Sequence, residues 1–351
     1  MKTRERVMKV KRKSIAMAAL TAIMAFGPLQ ALAADVEWRM QTYASTGMSE
    51  YNTLVKNFAD KVETASNGRM KITVFPAGQV VGSAEVPEAV RAGALDLGST
   101  FLLYYSGKEP ALQAINEWPA GLENQQAYDW FYSGGGKELL RPVAARHNLY
   151  YLGVSTLLGE NIWSNKKIES IEDLNGLKMR TSGLTAESFA KLGVSPVSMS
   201  SEDIYTAMQR GTIDAFEFIS TPVHYGFGWN EVTKYITYPK FTMGGSSDWI
   251  VNLDSWNALP DDLKAIVDNA LRSASQEFFV QSLLEESEIN EKLKAAGVEF
   301  ITWPEGDLEK LQKARYEVVR EKYSPASEEF REIQQSRMNF LEALGYSVEA
   351  P

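Results

Sequence analysis

Arg180 closes a short run, Leu177-Lys178-Met179-Arg180, and Thr181-Ser182-Gly183 comes directly after it. Leu177 and Met179 alternate with a polar neighbour, as in a strand, and a helical stretch starts near Thr185 and stops at Gly193. Ligands of α/β proteins bind where strands hand over to helices. A guanidinium at such a place presents a planar fork that matches a carboxylate or sulfonate with two parallel hydrogen bonds. Arg180 is therefore the candidate anion anchor, the alternative being a surface or salt-bridging arginine.

Other chemistry-bearing patterns fail on spacing. The stretch SGGGKEL (133–139) lacks the first glycine of a phosphate loop, because Phe131 holds that place, and Glu138 replaces the hydroxyl residue. A glycine-rich turn before a helix explains it. In GFGWNE (226–231), Glu231 stands where a dinucleotide fingerprint needs its third glycine. The two histidines, His147 and His224, have no neighbouring Ser/Asp pattern, and the absence of cysteine excludes thiol nucleophiles and Cys/His zinc sites. The carboxylate pairs Glu202/Asp203 and Asp261/Asp262 sit in first turns of helices, where cap-and-dipole duty explains them. No catalytic residue is assigned; a carboxylate pair assembled by folding is the open alternative.

The elements that position Arg180 alternate between strand and helix. VEWRMQTYA begins an extended run, residues 49–65 have apolar residues at helical spacing, RMKITVFP alternates, and SAEVPEAVRAGALDLGST reads as a short helix and a strand. After residue 148 the pattern repeats, with NLYYLGVS, the Arg180 strand, a helix ending at Gly211 and a strand over Ile213–Phe218. This order implies mostly parallel sheets covered on both faces. From Pro260 to about Ala296 no Gly or Pro interrupts a helical pattern, which gives a helix of roughly 55 Å at 1.5 Å per residue. It either lies across two lobes or breaks near Ser273–Ser275. Two α/β lobes with crossovers are expected; a single large sheet is the rival.

The chain opens with seven basic residues and one acidic residue before an apolar stretch, Ile15 to Phe26, and Ala31-Leu32-Ala33 fits a cleavage site. Residues 1–33 are expected to be an export signal, too short in their apolar part for a membrane anchor. Removing them takes the net charge from −9 to near −15. That balance argues against nucleic acid and anionic membrane surfaces as partners, and no later segment is apolar enough to insert in a bilayer.

The blocks SNKKIESIEDLNGLKMRTSG…LGVSPVSMSSEDIYTAMQRGTIDAFE, AVRAGALDLG and DWIVNLDSWNALPDDLKAIVDNA resemble the periplasmic solute receptors of TRAP transporters, the DctP type, and stand in that family's order along the chain. GGGKEL and EWPAGLE are similar to the 2-keto-acid-binding branch. The resemblance implies a two-lobed α/β periplasmic binding protein with a central cleft and a long helix bracing both lobes. It places lobe one at 34–158 plus about 246–272, lobe two at 159–245, and C-terminal helices over 273–351 that wrap both. It implies no enzyme and no cofactor: a small organic acid anion is bound in the periplasm and delivered to the transporter's membrane subunits. The rival class is a periplasmic lyase or hydrolase.

The resemblance also carries residues. Arg180 matches the arginine that pairs with the ligand's carboxylate. Glu160 stands where sialic-acid receptors of the family have a second arginine, Phe218 (after Glu217) where they have an asparagine, and Phe101 where they have a glutamate; Gln41 and Ser201 match cleft-facing positions. Glu217 matches one ligand position of the receptors that bind a metal with a keto acid, but their upstream glutamine falls on Gly159 or Glu160, so no metal is expected. With no second arginine evident, a monocarboxylate is favoured over a dicarboxylate. Phe101, Tyr104, Trp163 and Phe218 are candidates to line the remainder. If they do, a 2-keto or amino acid with an aromatic or apolar body is expected; the rival is a small hydroxy-acid or sulfonate, with the aromatics shrinking the pocket.

Overall fold

Strand β10 (Gly245–Asn252) shows why the first sheet is buried on both faces: Trp249 and Val251 enter one core and Ile250 the other, as the two-residue period of a strand requires. The structure, a computed structural model, describes residues 35–105, 107–115, 124–242 and 245–346. The expected export signal and the EWPAGLE block lie outside the described residues.

Beside β10 the first sheet contains β1 (Val36–Thr42), β2 (Met70–Phe75), β3 (Leu97–Thr100) and β4 (Leu149–Leu157), in the order β2-β1-β3-β10-β4. The second contains β5 (Trp163–Ser164), β6 (Lys178–Arg180), β7 (Ser195–Val197), β8 (Ala215–Phe216), β9 (Tyr235–Tyr238) and β11 (Glu299–Thr302), in the order β11-β9-β5-β8-β6-β7. Strands β1, β2 and β3 run parallel, as do β6, β7 and β8. The antiparallel members are β10 and β5, the first strands after two of the three crossings between the sheets; β11, which follows the third, runs parallel to β9. A strand that arrives from the other lobe is free to take either direction, because no βαβ crossover within its own sheet fixes it. The two sheets replace the single-sheet alternative, and β11 adds a strand to what the sequence suggested would be a purely helical C-terminal part.

The helix Asp261–Ala295 is unbroken. Asp261 and Asp262 lie at its positive end and Lys292 and Lys294 at its negative end. Leu263, Val267, Leu271 and Phe278 pack into a first-lobe core, whereas Ile289 and Leu293 pack into a second-lobe core. One rigid rod thus braces both lobes. The helix Asp307–Val318 makes the return passage: Leu311 lies in a second-lobe core and Val318 in a first-lobe core.

Candidate functional site

Strands β6 and β8 are parallel neighbours, with Arg180 opposite Phe216. Both therefore end together, and the two residues after β8, Glu217 and Phe218, lie beside Arg180. The Glu217 N–H donates to the Arg180 carbonyl at 3.2 Å, and Arg180 Nη1 donates to the Glu217 carbonyl at 2.9 Å. Arg180 Nε donates to the Met199 carbonyl at 3.4 Å. The guanidinium is buried, 4.0 Å from Glu217 Oε1, and its centre lies 5.0 Å from the Phe218 ring centroid. Gly183, at φ +57°, lets the chain turn directly into the helix Gly183–Lys191. That turn sets Ser182 and Thr185 on the same wall as Arg180.

These groups line a cavity between the sheets. The first lobe adds Phe101, Leu103 and Tyr104 just after β3, Leu157 from the end of β4, and Gly245 and Ser246 from the start of β10. Glu160, Thr242 and Arg315 come from the stretches that pass between lobes. Phe101 meets Phe218 across the cleft at 6.3 Å, and Tyr104 at 6.3 Å within its own lobe, both edge to face. The space left is about 60 Å³. One water needs roughly 10–15 Å³, so the cavity takes only a few heavy atoms.

The ionisable walls are two guanidiniums, Arg180 and Arg315, and two carboxylates, Glu160 and Glu217. Burial pushes the Glu217 carboxyl up, against the pull of the Arg180 charge and of the more weakly acting Arg315. Tyr104 is likewise raised by burial, opposed by Arg180. His224 lies behind this wall, edge-on to Trp163 at 4.8 Å and enclosed with Phe216 and Trp229. Its Nε2 accepts from the Ile219 N–H at 3.4 Å, and burial, helped by Arg180, drives its pKa well below the usual value. It is a neutral packing group, not a base aimed at the cavity.

Of the residues singled out in the sequence, Arg180, Glu160, Glu217, Phe218, Phe101 and Tyr104 line this one cavity. Three do not. Gln41 is fully buried in β1, where its Oε1 accepts from Val80 N at 2.8 Å and its Nε2 donates to Val81 O at 2.7 Å, tying down that loop. Ser201 begins the helix Ser201–Arg210 and donates to Glu202 at 3.3 Å. Trp163 is fully buried in the second-lobe core. Arg315 is a lining residue that the sequence reading lacks, and it corrects the expectation of a single arginine. Its signal is an arginine on the apolar stripe Leu311, Ala314, Val318, the buried face of its helix.

The family model described as bacterial extracellular solute-binding protein, family 7 (DctP), matches residues 40–325. The chain belongs to this family. It is similar to a monocarboxylate 2-oxoacid-binding periplasmic protein of Nostoc sp. strain PCC 7120, 33% identical over 298 residues, which covers 84% of this chain and 82% of the relative. A solved TRAP transporter solute-binding protein of Bordetella bronchiseptica, with copurified calcium and picolinate, shares 29% identity at a TM-score of 0.80, covering 88% of this chain and 93% of that one. Another, from Colwellia psychrerythraea with bound calcium and pyruvate, shares 27% identity at a TM-score of 0.80, covering 88% and 95%. The chain is thus a solute-binding receptor of the TRAP type and not an enzyme. No helix among the described residues is long and apolar enough to cross a membrane.

Calcium takes six to eight oxygen ligands. The cavity offers two carboxylates, Glu160 and Glu217, and Glu217 already faces the charges of Arg180 and Arg315. Among the described residues no three acidic, His or Cys side chains converge. This donor set does not by itself make a calcium site.

Proposed function

We propose that this chain captures a small, flat monocarboxylate of the 2-oxo acid type in the periplasm and hands it to TRAP membrane subunits. The observation that carries the proposal is the buried Arg180, oriented by two backbone carbonyls, in a cavity of about 60 Å³ walled by Phe101, Tyr104 and Phe218. Arg180 takes the carboxylate, and the aromatic faces take the plane behind it. The four charged walls sum to zero, so one bound anion adds a single uncompensated charge and a dicarboxylate adds two. The small space favours a pyruvate-sized body over the aromatic one that the ring-rich sequence suggested. The ligand classes named for the Nostoc and Colwellia relatives agree with this assignment.

A thermal-shift panel of organic acids tests it. Pyruvate and 2-oxobutyrate should stabilise the fold by mass action, about 2.7 kcal/mol at a hundred times Kd. Stabilisation only by diacids, by lactate or by phenyl- and indole-bearing acids would overturn the assignment. The export step has its own test: the mature secreted chain should begin at Ala34 by N-terminal mass spectrometry.

A further inference from the structure

The GFGWNE stretch, which lacks the third glycine of a dinucleotide fingerprint, starts at the seam between the lobes. Gly226 ends the helix Thr221–Gly226. Ile219 and Val223 pack into a first-lobe core with Tyr43 and Met48, although β8, which precedes them, belongs to the second sheet. There the segment meets the loop after β1. A Cβ on Gly47 would lie 3.4 Å from the Gly226 carbonyl oxygen, and one on Gly226 would lie 3.4 Å from both the Gly47 carbonyl oxygen and Met48 Cα. Neither glycine has a φ in the left-handed region. Backbone conformation therefore does not call for glycine at either position; the close approach of two main chains does.

Each glycine is chained to one wall of the cavity. On the first-lobe side, Tyr43 stands at the start of the Gly47 loop and meets the Phe101 ring at 4.5 Å. Ser49 of the same loop donates to Glu285 of the bracing helix at 2.7 Å, which holds the loop in place. On the second-lobe side, Phe227 stacks on Trp229 at 4.6 Å, and the two reach Phe218 at 6.5 and 5.8 Å. Phe101 and Phe218 are the rings that face each other across the cleft at 6.3 Å. Close-packed side chains transmit a displacement rather than absorb it. The point at which the two main chains touch thus sets the gap between the two rings.

We propose that the Gly47–Gly226 contact is the stop for closure of the lobes, a pair of positioning residues outside the cavity that fixes its width and so the largest acid the receptor takes. The inference rests on the cavity as the ligand site; the 2-oxo acid assignment enters only through the choice of probe. A size series tests it. Calorimetry reads the affinity for pyruvate and 2-oxo-4-methylpentanoate, and pulsed EPR reads the distance between spin labels on Q79C and T206C, one exposed position in each lobe of a chain with no cysteine of its own. In wild type, pyruvate should collapse the distance distribution to its short end. G226A adds a methyl group at van der Waals distance and should behave as wild type does. In G47V/G226V, γ carbons meet across the seam and the short distance should be lost. Pyruvate affinity should then fall about tenfold or more, because the small acid is held only by molecules that reach the closed form. The larger acid should lose less, so that the preference moves toward it by about tenfold, the scale on which a pocket discriminates one methylene. Where the double variant does not fold, G226V carries the same test. A valine variant that still reaches the wild-type short distance, or that loses both acids in equal proportion, overturns the inference. So does a wild type that binds pyruvate with no change in distance. If wild type binds neither acid, the 2-oxo acid assignment falls by itself. The stop is then read without any acid: a short-distance population present in wild type and missing from the valine variant supports it, and any other pattern overturns it.

Discussion

Arg180 is oriented by the main chain of Glu217 rather than by its carboxylate: Nη1 reaches the Glu217 carbonyl at 2.9 Å, while Oε1 stands 4.0 Å away. The carbonyls fix the fork, and the Glu217 carboxylate balances its charge from 4.0 Å without taking a hydrogen bond from it, so further N–H donors remain for an anion. Arg180→Ala should weaken the bound acid by about 2–5 kcal/mol, the cost of breaking a desolvated charge pair. Arg180→Lys should restore little, since a point charge cannot make the bidentate contact. Calorimetry that finds the alanine variant within about threefold of wild type would place the anchor elsewhere.

The same geometry makes a prediction about Glu217 that runs against intuition. Glu217→Gln leaves the carbonyl that holds Arg180 and removes a negative charge from the wall. Affinity for a monoanion should stay level or rise by up to about tenfold, equivalent to 1.4 kcal/mol. A loss of more than tenfold would mean that the carboxylate itself contacts the ligand or a cation bound with it.

The sequence made parts of this site legible for identifiable reasons. Arg180, Glu217 and Phe218 belong to two short parallel strands and their ends, which alternation and the glycine-bounded helices around them delimit. Gln41 is misplaced by sequence because alternation along β1 tells which residues share a face but not what covers that face; here it is the 80–81 loop. Trp163 is ambiguous because a two-residue strand has too little pattern to show which side is core. Arg315 depends on where the chain passes between lobes for the last time, which no local periodicity encodes. The long helix is legible in extent, because nothing in 261–295 breaks it, but its bridging of two cores is a tertiary fact.

A buried acid away from the cavity should make stability depend on pH. Glu50 is 1% exposed and accepts a hydrogen bond from the Tyr43 hydroxyl on Oε1, while Oε2 has no partner among the described residues. Burial pushes its pKa from 4.5 up to about 7. The folded state therefore holds this proton more tightly than the unfolded chain does. Its contribution is fully present below about pH 4.5 and is lost as pH rises through about 7, a swing of about 3 kcal/mol on the linkage relation. Glu50→Gln keeps an acceptor for Tyr43 and does not titrate. Denaturant melts at pH 5 and pH 8 should show the glutamine variant more stable than wild type at pH 8 and less dependent on pH. An unchanged pH dependence would assign the swing to other groups.

Phe218 should set the size limit of the ligand. Its ring meets Phe101 from the opposite lobe at 6.3 Å and lies under the Arg180 guanidinium at 5.0 Å, so it both narrows the cavity and supports the anchor. It is half-buried, and it packs on Phe227 and Trp229 behind. Phe218→Ala removes the wall and the cation–π contact, which is worth about 0.5–2 kcal/mol depending on desolvation. Pyruvate should therefore bind more weakly, by about 3- to 30-fold. Larger acids such as 2-oxo-4-methylpentanoate and phenylpyruvate should gain relative to pyruvate, because the cavity opens toward the space the ring occupied. A competition assay in which the variant loses all acids in equal proportion would show that Phe218 supports Arg180 without limiting ligand size.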